Sequence, residues 1–180
     1  MQQNKPNWEN LDTSADIEDL MMISEKELKA SSLSYVQSVR HSTLQEIHSL
    51  SIQGKCNANL FYQTQLAARE EGGPDEQSYL GTRARVKGGS LCLEWYRNRF
   101  RIVQTPRGAK KKVFSQYIPK NRADGYTAAT FSKEPQWARD VAAEVEGEYQ
   151  KLRKRGEILA KIKRLVGEYE KLVLKDHKDD

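Results

Sequence analysis

The chain has 180 residues, 37% of them hydrophobic and 31% charged, with thirty Lys and Arg against twenty-five Asp and Glu, for a net charge of +5. That length suffices for one domain of ordinary size with its own core, while no uncharged apolar stretch approaches the ~20 residues of a membrane span. Met1–Asn10 lacks the cationic flank and apolar run of a secretory leader, and two cysteines, Cys56 and Cys92, with no CxxC spacing argue against a zinc site or disulfide framework and for a reducing cytoplasm.

Charge is distributed unevenly. Residues 1–80 carry −6 and residues 123–180 carry zero, whereas the window 81–122 holds twelve Lys and Arg and a single acid, Glu94, for +11. Residues 1–24 read as a mostly disordered acidic arm. Within it Asp16, Glu18 and Asp19 suit a helix N-terminus or a solvated arm better than a metal site. The N-terminal helical region, 25–72, has Leu28, Leu33, Val36, Val39, Leu44, Ile47 and Leu50 near a helical period over 25–52. Gly54 is read as a break, with Ala58–Arg69 as a second short helix and Glu71–Asp75, containing Gly72, Gly73 and Pro74, as a linker.

The basic window has a strand pattern. Leu80, Thr82, Ala84 and Val86 alternate with Gly81, Arg83, Arg85 and Lys87, one apolar face and one basic. Gly88-Gly89 offers the positive φ angles of a two-residue hairpin turn. The turn predicts the pairs Lys87/Ser90, Val86/Leu91, Arg85/Cys92, Ala84/Leu93, Arg83/Glu94 and Thr82/Trp95, each joining like with like or charge with countercharge. The second strand continues through Tyr96 to Ile102, but there Arg97, Arg99 and Arg101 take over the parity of Leu91, Leu93 and Trp95. Either a bulge near Asn98 flips the faces or the strand overhangs the core. Pro106–Gly108 reads as a turn and Lys110–Ile118 as a third strand. The expected sheet presents Arg83, Arg85, Lys87, Tyr96 and Asn98 on its polar face, with the segment from Arg107 through Lys110, Lys111 and Lys112 at one rim.

Beyond Ser132, a plausible N-cap with Pro135 in the first turn, no proline follows. Val145, Leu152, Leu159, Val166 and Val173 recur every seven residues, accompanied by Trp137, Val141, Tyr149, Ile162 and Tyr169. This stripe predicts core packing, with a dimerising coiled coil as the alternative, and Gly156 marks either a bend or a point on one continuous rod. Residues 175–180 read as a disordered end. The fold class is thus α+β: a three-stranded antiparallel sheet in the middle of the chain, packed by N-terminal helices and a long C-terminal amphipathic helix, with residues 78–175, the basic sheet plus the C-terminal helix, as the domain expected to meet a polyanion.

Catalysis finds little support. His41, His48 and His177 form no cluster, HExxH and paired metal-ligand spacings are missing, and no phosphate-cradling glycine loop is present. Tyr96 and Tyr117 would serve as DNA-cleaving nucleophiles only with a metal or clustered cations around the phosphate. The expectation is a non-enzyme without catalytic residues, metal or cofactor.

The segments Gly89–Phe100 (GSLCLEWYRNRF), Lys112–Lys120 (KVFSQYIPK), Tyr126–Phe131, Trp137 and Glu148–Arg155 (EYQKLRKR) together resemble the MobI family of conjugative mobilisation proteins, over roughly Ser78–Leu172. The resemblance implies an auxiliary factor of an integrative and conjugative element or plasmid, a relaxosome accessory that acts at the origin of transfer and assists the relaxase without nicking DNA itself. No binding residues carry over from it. Charge and strand parity nominate Arg83, Arg85, Lys87 and Asn98 for base edges in a major groove and Arg107, Lys110, Lys111 and Lys112 for phosphates, with Tyr96, Arg97, Arg99 and Arg101 completing the DNA-binding set. Double-stranded DNA is the expected partner, with a relaxase or other relaxosome protein on the acidic N-terminal helices and a homodimer through the C-terminal stripe; no membrane is involved. RNA binding through stacked Tyr96, Phe100 and Tyr117, or an interaction scaffold for an acidic protein, are the rivals.

Overall fold

A computed structural model describes residues 24–72, 76–106 and 108–175. The acidic arm, apart from Ser24, lies outside these, as do Gly73–Asp75 of the expected linker, Arg107, His177 and the end of the chain from Asp176. Helix α1 spans Glu25–Glu71. It opens on a capping box: Ser24 Oγ accepts from the Glu27 N–H at 3.3 Å, and the Glu27 carboxylate accepts from the Ser24 backbone N–H at 2.9 Å. The bond from the Ser24 backbone N–H foremost, and one from the Ser24 hydroxyl to the same carboxylate at 2.8 Å, hold the Glu27 carboxyl below its ordinary range.

The expected break at Gly54 is absent, and α1 runs through it. The glycine is there for contact, not for flexibility: a Cβ at this position would come within 2.7 Å of both Ala84 Cβ and Leu93 Cδ2 on the sheet. Its carbonyl also accepts a bond from Tyr149 Oη at 3.3 Å. The helix therefore gives up about 1 kcal/mol of propensity to let its backbone lie against the strands.

Strands β1 (Leu80–Lys87), β2 (Ser90–Thr105) and β3 (Gly108–Tyr117) form an antiparallel sheet in that order. All six predicted β1/β2 pairs are present, and the pairing extends to Leu80/Arg97. Gly88 and Gly89 take φ of 57° and 68°, the two positive angles the tight turn requires. Pairing of β2 with β3 runs unbroken from Tyr96/Tyr117 to Thr105/Gly108, so no bulge flips the faces. The strand overhangs instead: β2 outlasts β1 beyond Arg97 and continues with β3 alone as a two-stranded ribbon. The third strand starts two residues earlier than expected, because Gly108, with φ of 104°, closes the turn directly.

A short 3-10 turn, Ala128–Phe131, leads to helix α2, Gln136–Lys175. Ser132 does not cap α2. Its hydroxyl closes the 3-10 turn on Ala129 O at 2.9 Å, and the Pro135 carbonyl takes the Arg139 N–H at 3.0 Å to start the helix. The helix is continuous through Gly156, where an added Cβ would meet Leu91 at an ordinary 3.5 Å, and Lys175 still belongs to it.

The chain divides into two compact units. In the first, 24–39 with 166–175, Val36 and Val166 are buried and the Tyr35 and Tyr169 rings meet edge-on at 6.1 Å. In the second, Arg40–Leu165, one core joins every element but β3: Leu50 and Phe61 from α1, Leu80 and Ala84 from β1, Leu93 and Trp95 from β2, Tyr126, Phe131, and Ala138, Ala142, Val145, Tyr149 and Leu152 from α2, with Leu159 packed at its margin. Trp95 is central, its ring meeting Phe131 at 4.9 Å, Phe61 at 5.2 Å and Tyr149 at 6.2 Å. Its indole N–H donates to Glu146 Oε2 at 2.9 Å, and the buried Glu146 pairs with buried Arg153 at 2.6 Å.

Candidate nucleic-acid interface

The alternation of a strand assigns every cation in the sheet to one of two faces. Arg83, Arg85 and Lys87 of β1 share the outer face with Glu94, Tyr96 and Asn98 of β2, as their parity predicts. Arg97, Arg99 and Arg101 stand on the inner face, in line with the core residues Leu91, Leu93 and Trp95, and are joined there by Lys110 and Lys112 of β3, while Lys111 returns to the outer face.

Several of these side chains already have partners. Glu94, the window's one acid, lies 2.8 Å from Arg83 Nε and 3.0 Å from Arg85 Nη2. Burial, the largest single influence on Glu94, pushes its carboxyl upward. The hydrogen bonds and charges of Arg83 and Arg85 together outweigh burial and hold the group below its ordinary range. Arg83 also sits 5.6 Å over the Tyr96 ring. Arg97 is more firmly committed. Its guanidinium lies 2.9 Å from Glu134, whose other oxygen accepts from Ser78 Oγ at 2.7 Å, and it also donates to Thr130 O at 3.3 Å. Arg97 thus ties β2 to the segment that precedes α2. Asn98 accepts through Oδ1 from Ser115 Oγ at 2.9 Å, leaving its amide N–H pair available. Tyr96 and Tyr117 are direct cross-strand neighbours. Among the described residues no group of three or more His, Cys, Asp or Glu is placed to hold a metal ion beside them.

The least committed cations are on the overhang. Residues 98–118 hold six Lys and Arg and no acid. Arg99 and Lys110 are exposed, Lys87 is exposed at the other end of the sheet, and every residue of β3 is exposed. Arg101 and Lys112 lie 5.6 and 5.5 Å from the Phe114 ring centre and Lys111 lies 4.4 Å from that of Phe100, cation–π contacts that hold long side chains extended along the ribbon. Arg99, Arg101, Phe114, Ser115 and Gln116 line an open depression of about 360 Å³. Arg107 is outside the described residues.

Charge alone does not single out the apolar side chains between these cations. Ile102 is 75% exposed, Val113 52% and Phe100 42%. All three occupy the outer face of the ribbon, with Phe100 directly opposite Val113 and Ile102 opposite Lys111. Their signal in the sequence is the run Phe100 to Val103 beyond the last core residue of β2. The arrangement offers a polyanion a slender exposed arm with Arg99, Arg101, Lys110 and Lys112 on one face and Lys111 on the other. No helix among the described residues is long and apolar enough to cross a membrane.

No curated protein and no solved structure matches the chain. A family model described as MobI protein matches residues 50–167, which take in the second half of α1, the whole sheet and most of α2. That match covers about two-thirds of the chain, including all of the core and both hairpins, and the protein therefore belongs to the MobI family.

Proposed function

We propose that this MobI-family protein binds double-stranded DNA at the origin of transfer of a conjugative element and acts as a non-catalytic accessory of the relaxosome, leaving nicking to the relaxase. The coarser role, conjugative mobilisation, goes with the family. The DNA reading is carried by one observation: β3 is exposed at every residue, Arg99 to Ile102 of β2 are exposed beside it, and the segment 98–118 bears six cations without a single acid. A two-stranded ribbon fits within a DNA groove. Arg99, Arg101, Lys110, Lys111 and Lys112 contact phosphates on either side, and Lys87 extends the strip toward the β1–β2 turn. Arg83 and Arg85, which share Glu94, and the free amide of Asn98 approach base edges from the outer face of the sheet. Arg97 holds the ribbon in place through Glu134 and contributes indirectly. The acidic N-terminal portion, repelled by DNA, faces the relaxase or another relaxosome protein, whereas the C-terminal stripe is taken up by core packing through Val145, Tyr149 and Leu152 and is not offered to a second copy.

Neutralising roughly six phosphates gives a slope of about −5 for log affinity against log salt. Replacing Lys110, Lys111 and Lys112 together by alanine is expected to lower the magnitude of that slope by about 2 to 3. A slope unchanged from that of the native protein would refute the ribbon as the phosphate-binding element.

A further inference from the structure

The faces of the ribbon differ in chemistry. The inner one carries Arg99, Arg101, Lys110 and Lys112, whereas the outer one presents Phe100, Ile102 and Val113 with Lys111 as the one cation among them, between the polar Asn98/Ser115 pair and Gln104. Phe100, Ile102 and Val113 offer no hydrogen bonds with which to read base edges, yet Ile102 is the most exposed large apolar residue among those described. Duplex DNA matches this combination better than an acidic protein surface does. Its two charged rails flank a stack of apolar base faces, and the ribbon has an apolar centre with long cationic stems able to reach both sides.

Resting on the duplex-binding reading above, we infer that the ribbon enters the minor groove with its outer face inward, that Ile102, supported by the Phe100/Val113 pair, inserts between adjacent base pairs, and that the duplex kinks as a result. The minor groove is only ~6 Å wide against ~12 Å for the major groove, so entry of two strands requires it to open. Unstacking one step by an apolar wedge opens it and bends the DNA away. Site preference then includes the ease of deforming that step, which favours flexible TA or CA steps even where no side chain touches a base edge.

The test is energy transfer between dyes at the two ends of a short duplex carrying the preferred site, with the full-length native protein and the variants Ile102→Ala and Val113→Ser. Both side chains are exposed, so the fold is kept. The native protein is expected to bring the ends together by a bend within about 20° to 90°. Ile102→Ala should lose most of that bend while its salt slope stays the same, Val113→Ser should lose part of it, and replacing guanine by 7-deazaguanine, which alters the major groove alone, should leave affinity intact. Binding without bending, a full bend with Ile102→Ala, or loss of affinity on 7-deazaguanine would overturn minor-groove insertion while leaving DNA binding standing. No binding to any duplex would overturn both.

Discussion

Removing Arg153 probes the polar centre of the core. Glu146, only 3% exposed, receives four donors: Arg153 through both terminal nitrogens at 2.6 and 3.2 Å, the Trp95 indole at 2.9 Å and the Tyr126 backbone N–H at 3.0 Å. Arg153 in turn donates to the carbonyls of Asp124 and Leu93 and lies over the rings of Tyr126 and Tyr149. Arg153→Ala leaves a buried carboxylate with two neutral donors and no countercharge, at a cost of about 3–5 kcal/mol. With a urea slope of roughly 2 kcal/mol per molar, the midpoint should fall by about 2 M, followed by the fluorescence of Trp95, which sits at the site. The double variant Glu146→Gln/Arg153→Met removes both charges, and its cost should be smaller than the sum of the single costs by about 2–3 kcal/mol. A loss from Arg153→Ala below about 1 kcal/mol, or strict additivity, would refute the claim that the pair acts as one buried unit.

Other consequences can be measured separately. Gly54→Ala should destabilise by about 1–3 kcal/mol despite its better helix propensity, because the new methyl meets Ala84 and Leu93 at 2.7 Å; a gain in thermal midpoint would contradict the close-packing account. Glu94 has a lowered carboxyl pKa when folded, so its contribution is present above the unfolded value and is lost as the pH falls below about 4. Glu94→Gln should therefore flatten the acid limb of the stability profile, and an unaltered limb counts against the pairing with Arg83 and Arg85. Burial drives Tyr149 up to about 12, against the lowering influence of the Thr82 hydrogen bond and the Arg153 charge. The raised value adds stability below the unfolded pKa that is lost as the pH rises through the folded one, so destabilisation between about pH 10 and 12 should be weaker in Tyr149→Phe when followed by tyrosine absorbance.

Local chemistry makes the β1–β2 hairpin legible in the amino-acid sequence. Two adjacent glycines fix the turn, and a period of two then dictates each cross-strand pair from Lys87/Ser90 to Thr82/Trp95. The same parity argument exposes the conflict at Arg97 but leaves it as a choice between bulge and overhang, since only the partner strand decides it. Gly54 misleads because glycine's local meaning, a weak point in a helix, competes with a tertiary one, a close approach to Ala84 and Leu93 that no nearby residue announces. The tie from Arg97 to Glu134 spans 37 residues and has no local signature either. Glu146 and Arg153, seven apart and each one residue after a buried stripe position, do leave a trace, two opposite charges beside an apolar seam. The stripe itself announces the packing of Val145, Tyr149 and Leu152. At the candidate interface, counting charge locates the ribbon, while the apolar residues between the cations become meaningful only through their exposure.

The most direct test of the central claim is fluorescence anisotropy of the full-length protein against duplexes tiled across the DNA flanking its own gene, with a shuffled control, at two salt concentrations. One tile preferred by several hundred-fold, about 3 to 4 kcal/mol, is the predicted result and would locate the origin site. Equal affinity for every tile and for the shuffled control, or no binding at all, would contradict the account.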